Sequence, residues 1–216
     1  MVYIVIKNGS ILQKYIPGTK IEELLIPEDI EVIGTGICCP PPECEVLSNS
    51  AKHAFYNWDD FFHVKRIHIP SSVKRIEPAA FMSINNLEAF SLEDGCTAAK
   101  LNDGVLFSKD GTRLICCPPQ KEDKYIVPDG VEIIGENAFD RTCMEAVIFP
   151  NSLKEIEDDI FNGSFAIKTV YIPASVKKIG VRLFDDLHDE NPTIQAPAGS
   201  FAIKYAKENG YDYEEV

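Results

Sequence analysis

No stretch of this 216-residue chain is apolar for long enough to cross a bilayer as a helix, which takes about 20 residues. Positive charge is scarce as well: 21 Lys and Arg stand against 34 Asp and Glu, a formal net charge of -13. A nucleic-acid ligand needs a Lys/Arg-rich face for its phosphates, so none is expected, and the same acidity disfavours an anionic membrane surface; no membrane insertion is expected either. The G-x-S-x-G, P-loop and dinucleotide fingerprints are missing, and so is any C-x-x-C pair of the kind that holds zinc. The opening residues MVYIVIKNGS carry no basic segment before their apolar stretch and no small-residue cleavage site after it. No signal peptide is therefore expected. That implies a cytoplasmic protein, or a secreted or surface one if a leader has been removed.

What the chain does have is self-similarity. With 45% hydrophobic and 25% charged residues its composition is globular. Segments 69–81 (IPSSVKRIEPAAF), 127–139 (VPDGVEIIGENAF), 149–161 (FPNSLKEIEDDIF) and 172–184 (IPASVKKIGVRLF) share one frame. Counted from each Pro, apolar residues fall at +3 and +6, and an apolar-Phe pair at +10 and +11. Segment 26–38 repeats the frame with Cys38 in the Phe slot. Pro128 to Pro150 is 22 residues and Pro150 to Pro173 is 23, so a further copy is expected with Glu93 in the Pro slot and Leu87, Phe90 and Leu92 upstream. Another, damaged copy is expected between residues 40 and 63, in a register the pattern does not fix. A period near 23 lies in the leucine-rich-repeat range.

Upstream of each Pro, Val64, Ile67 and Ile69, then Met144, Val147 and Phe149, then Ile167, Val170 and Ile172 follow an L-x-x-L-x-L strand pattern. Strand side chains alternate, so these residues face a core that only stacked repeats can close. The +3/+6 pair predicts a second short extended segment and the +10/+11 pair a packed convex side. The slot usually held by a ladder Asn carries Asp29, Ser72, Gly130, Ser152 or Ser175 instead.

These residues resemble the BspA-like (Treponema-type) leucine-rich repeats, whose units read I-x-I-P-x-S-V-x-x-I-x-x-x-A-F, and the resemblance covers nearly the whole chain. It implies an α/β leucine-rich-repeat solenoid, right-handed and β-rich, with a parallel sheet on one face and a single domain over residues 1–216. Within it, residues 1–20 look like an N-terminal hairpin cap turning at Asn8-Gly9. Repeats follow at 21–94 and 122–190, with a hairpin insert at 95–121 turning at Lys109-Asp110-Gly111. Residues 191–216 look like a C-terminal cap whose helix starts at Ser200, sets Phe201 and Tyr205 on one face and stops at Asn209-Gly210. The members of this family are mostly bacterial, often surface adhesins or interaction modules.

Chemistry-bearing residues are few. The doubled ICCPP, at 37–41 and 115–119, places vicinal cysteines on opposite faces of a strand, which is poor geometry for one metal; the seven cysteines read as buried thiols. His53, Asp59, Asp60, His63 and His68 crowd into residues 53–68 among aromatics. They read as an irregular repeat rather than a metal or catalytic cluster, with His68 outward beside Lys65 and Arg66. No cofactor is expected. The outward sheet face is more informative. Its in-register positions hold Leu25, His68, Ser91, Ile126, Ile148, Tyr171 and Gln195, so Ile126, Ile148 and Tyr171 should form an apolar ribbon flanked by Asp123, Lys124, Glu145, Lys168 and Thr169. Either that ribbon is open to a protein or peptide partner or the hairpin insert folds over it. The expected function is a non-enzymatic binding module. The alternatives are a metal- or thiol-dependent enzyme on His53, His63 and the cysteines, and a glycan-binding adhesin.

Overall fold

A computed structural model describes residues 3–8, 11–17, 22–35, 63–121, 123–184 and 192–216. The chain forms two compact units, Met1–Leu101 and Asn102–Val216, and each is a stretch of β-solenoid.

The first unit begins with the expected antiparallel hairpin, β1 (Tyr3–Asn8) and β2 (Ile11–Pro17), but Asn8 pairs with Ile11 and so ends the strand, one residue later than a turn at Asn8-Gly9 requires. Two ladders follow. One sheet stacks β3 (Glu23–Leu25), β5 (Arg66–Ile69) and β7 (Ala89–Leu92) in parallel, from the segments upstream of each Pro slot. The other carries β4 (Val32–Ile33) and β6 (Arg75–Ile76) on from β2, from the +6 segments. The copy with Glu93 in the Pro slot is real: Leu87 and Phe90 are buried, and Phe90 pairs with Ile67. Its frame runs on through buried Cys96 at +3 and buried Ala99 at +6, where β8 (Ala99–Asn102) begins. The damaged copy at 40–63 lies outside the described residues.

The second unit repeats the scheme. Its hairpin, β9 (Val105–Ser108) and β10 (Arg113–Cys116), turns at Gly111, whose φ of 84° needs the left-handed region that glycine enters freely. The sheet from upstream segments runs β11 (Lys124–Ile126), β13 (Ala146–Ile148), β15 (Thr169–Tyr171), β17 (Thr193–Ala196) and β18 (Tyr213–Glu215), all parallel. The +6 segments β12 (Ile133–Ile134), β14 (Glu155–Ile156) and β16 (Lys178–Ile179) form the opposite ladder, and β10 joins it by pairing in parallel with β12.

The frame has a backbone cause. In every described repeat the carbonyl at the Pro slot accepts the N–H of the +3 residue: Pro27 from Ile30, Pro70 from Val73, Glu93 from Cys96, Pro128 from Val131, Pro150 from Leu153 and Pro173 from Val176. This tight turn swings the +3 side chain inward, and all six are buried. Further on, Ala80-Phe81, Ala138-Phe139, Ile160-Phe161 and Leu183-Phe184 are buried as the convex layer.

One periodic feature carries no glycine to announce it. The +9 residue is left-handed in four repeats: Ala79 (φ 52°), Asn137 (54°), Asp159 (55°) and Arg182 (52°). A residue with a Cβ is strained there by roughly 1 kcal/mol. Ala79→Gly should therefore leave stability within about 0.5 kcal/mol of the parent, strain relief offsetting chain entropy and a lost methyl contact. Its neighbour Ala80→Gly should cost about 1–2 kcal/mol. Urea titration of both variants checks the contrast; equal losses would show that the +9 strain is absent.

The C-terminal cap is a helix, α1 (Phe201–Asn209), with the Ser200 side chain accepting from the Ile203 N–H and Gly210 closing it at φ 74°. Its buried face is Ala202, Ile203 and Ala206, with Tyr205 packed beside them, whereas Phe201 is exposed. The final strand β18 is a departure from expectation. Tyr213, Glu214 and Glu215 are all exposed, so no alternation marks them, yet they pair with Ile194, Gln195 and Ala196.

Candidate functional site

The site is built by register. Tyr125, Val147, Val170 and Ile194 pair across successive strands and point into the core, so their neighbours must point out. One outward column is therefore Ile126, Ile148, Tyr171, Gln195 and Glu214. Beside it runs Lys124, Ala146, Thr169, Thr193 and Asp212, the last following from the Ile194–Tyr213 pairing. Ile126 leaves 63% of its surface in water, while Ile148 and Tyr171 are half-buried by their neighbours. On the rim where the strands begin, Lys168 reaches Glu145 at 2.7 Å, both side chains well exposed. Exposed pairs of this kind contribute about 0–1 kcal/mol, so the pair shapes the rim more than it stabilises it.

The hairpin does not cover the ribbon. Arg113 and Leu114 of β10 pair with Ile133 and Ile134, which puts the hairpin in the +6 ladder rather than across the sheet of β11, β13 and β15. The alternative in which the hairpin folds over the ribbon is thereby removed.

The first unit carries the matching column Leu25, His68 and Ser91, in register. It is less apolar: only Leu25 is a large hydrophobe, 58% exposed, and His68 Nδ1 lies 2.9 Å from Ser91 Oγ. Lys65 stands 3.8 Å from both Glu22 and Glu88 along its rim.

The other candidates do not assemble. His53, Asp59 and Asp60 lie outside the described residues. His63 is half-buried ahead of β5, and His68 faces outward as expected. Among the described residues no group of three His, Cys, Asp or Glu is placed to hold a metal ion. Cys116 ends β10 and Cys117 follows it inside the unit, and burial pushes both thiols far above the ordinary cysteine range. A thiol that stays protonated is neither a nucleophile nor a ready ligand. Cys96 is buried too, Cys143 is exposed, and none of these four is in a disulfide; Cys38, Cys39 and Cys44 lie outside the described residues. The sequence reading missed two exposed apolar side chains, Phe165 and Val181, which sit in turns where no periodicity marks them. It also missed Asp212 and Glu214, the acidic end of the face.

The family model for the BspA-type leucine-rich repeat region matches residues 44–106 and 120–197 in six copies. The chain belongs to the BspA-type leucine-rich-repeat family. The unmatched gap, 107–119, holds most of the β9–β10 hairpin, as expected for an insertion between repeats. Among solved structures, a leucine-rich-repeat protein from Eubacterium ventriosum superposes with a TM-score of 0.65 at 21% identity, over 82% of this chain and 42% of that one. This chain thus spans less than half of that relative, and the likeness is one of fold. The pneumococcal vaccine antigen PcpA is more distant, with a TM-score of 0.49 at 19% identity over 91% of this chain and 68% of that one. No curated protein matches the chain. No helix among the described residues is long and apolar enough to cross a membrane.

Proposed function

We propose that this BspA-type chain is a non-enzymatic binding module that presents the β11–β13–β15–β17 sheet face of its second unit to a protein or peptide. A leucine-rich-repeat fold is suited to interaction because stacked repeats offer a broad, pre-organised surface. The observation that carries the reading is the in-register ribbon Ile126–Ile148–Tyr171, apolar and open, at positions where a solvated sheet face would carry polar side chains. The mechanism is apolar anchoring on these three residues, with Lys124, Glu145 and Lys168 on the rim setting register and orientation. The compartment we infer is the cytoplasm, in keeping with reduced thiols at the four described cysteines.

The test is a comparison of the native protein with a variant carrying Ile126→Asp, Ile148→Asp and Tyr171→Asp, both checked for folding by circular dichroism. Each is used as bait in cell lysate and in extracellular extract. Three desolvated charges in one ribbon should weaken a partner held there at least a hundredfold, since a central anchor contributes about 2 kcal/mol or more. A partner held equally by both baits would move the site off this face.

A further inference from the structure

The ribbon is one part of a face whose charge changes sign from one end to the other, and that polarity specifies a ligand. At the β11 end, exposed Lys124 stands on the face beside Ile126, while Asp123, with its left-handed φ of 37°, sits on the rim before the strand. Across the middle the face is uncharged: Ala146 with Ile148, Thr169 with Tyr171, then Thr193 with Gln195. The rim there is balanced by the Glu145–Lys168 pair. At the β18 end, Asp212 and Glu214 are both exposed in the same two columns. Glu214 accepts a hydrogen bond from Gln195 at 2.8 Å, which keeps its carboxylate on the outward column. The remaining acid of that strand, Glu215, is met by Lys207 at 3.3 Å.

From Ile126 to Glu214 is four strand steps, roughly 19 Å at about 4.8 Å each. An extended chain rises about 3.3 Å per residue, so about six residues span it. We propose that the face takes an extended peptide crossing the strands, with an apolar centre over Ile126, Ile148 and Tyr171, an acidic residue at the Lys124 end and a basic residue at the Glu214 end. A ligand with like charges at both ends meets repulsion at one of them whichever way it runs. A uniformly acidic or basic tract is therefore selected against, and a peptide of mixed sign is selected for. This rests on the proposed function of the ribbon and adds the chemistry of what binds it.

The experiment is a display selection of random twelve-residue peptides on the full chain, followed by fluorescence polarisation of the enriched peptides against four proteins. These are the native chain, the triple Asp variant, Lys124→Glu and Glu214→Lys. The expected consensus is two or three apolar residues flanked by opposite charges about six residues apart. Binding should be lost in the triple variant. Each single reversal should weaken a peptide of mixed sign by about two- to fivefold, as for exposed ion pairs. Reversal should also shift preference, Lys124→Glu toward peptides basic at both ends and Glu214→Lys toward peptides acidic at both ends. Peptides that need the ribbon but ignore both reversals would overturn this inference and leave the proposed function standing. Peptides that bind the triple variant as well as the native chain, or no enrichment at all, would overturn both. So would a concentration-dependent dimer that the triple variant abolishes, because a second copy would then be the occupant.

Discussion

Replacing Phe161 by alanine should cost about 4–5 kcal/mol, the upper end for removing a buried aromatic side chain. Phe161 is fully buried at the +11 position of its repeat. Its ring stacks on Phe139 from the preceding repeat at 5.3 Å and on Phe184 from the following one at 5.6 Å. The column continues past the last repeat through Tyr211, edge-on to Phe184 at 5.3 Å, and on to Tyr205 at 5.9 Å. Alanine removes the transfer energy of the ring and leaves a cavity. It also breaks two aromatic contacts that each contribute about 0.5–1.5 kcal/mol beyond area. Repeats on both sides pin the site, so it cannot collapse to fill the void. Phe161→Leu keeps most of the volume and should cost about 1.5 kcal/mol. Urea titration followed by far-ultraviolet circular dichroism reads both, and maleimide labelling of the buried Cys116 and Cys117 reports the same opening. An alanine loss no larger than the leucine loss would mean that the column is not continuous.

Much of this architecture was legible because one face of every repeat must be buried. The Pro-slot turn, the +3, +6, +10 and +11 apolar positions and the inward strand residues are all set by that demand, so a period of 22 or 23 residues exposes them. The ribbon was legible for the same reason: once Tyr125, Val147 and Val170 are assigned inward, Ile126, Ile148 and Tyr171 can only be outward and in register. Whether the hairpin covers the ribbon was not legible. The hairpin strands β9 and β10 show which residues pair with each other, but not which sheet they extend. That is settled by Leu114 meeting Ile134, a long-range pairing with no local signature. The left-handed +9 residues escaped notice because Ala79, Asn137, Asp159 and Arg182 share no chemistry; the stacked backbone, not the side chain, imposes the conformation. Strand β18 escaped because a short, fully exposed edge has no inward residue to betray its period.

Ser164→Ala should cost about 2 kcal/mol although it removes a single oxygen. The +14 position holds Thr142 in one repeat and Ser164 in the next, each just after a left-handed residue, Arg141 or Gly163, that turns the chain. Ser164 is completely buried, and its hydroxyl donates to the Phe139 carbonyl at 2.6 Å while accepting the Thr142 N–H at 3.0 Å. Both partners are backbone groups of the neighbouring repeat. Alanine removes both bonds and leaves that N–H only a long one, 3.4 Å to the Phe139 carbonyl, so two buried hydrogen bonds of about 1 kcal/mol each are lost. The Thr142 hydroxyl lies 3.2 Å from the Phe139 carbonyl and can still serve it, so that oxygen is not abandoned. The control is Thr142→Val, which is nearly isosteric. It removes a hydroxyl whose two neighbours, Ser164 Oγ and the Phe139 carbonyl, already satisfy each other, and it should cost less than about 1 kcal/mol. The ratio of the two losses in urea titration is therefore the measurement. If valine at 142 costs as much as alanine at 164, the threonine hydroxyl is the true bridge. If Ser164 alone matters, one buried hydroxyl helps hold two neighbouring repeats in register.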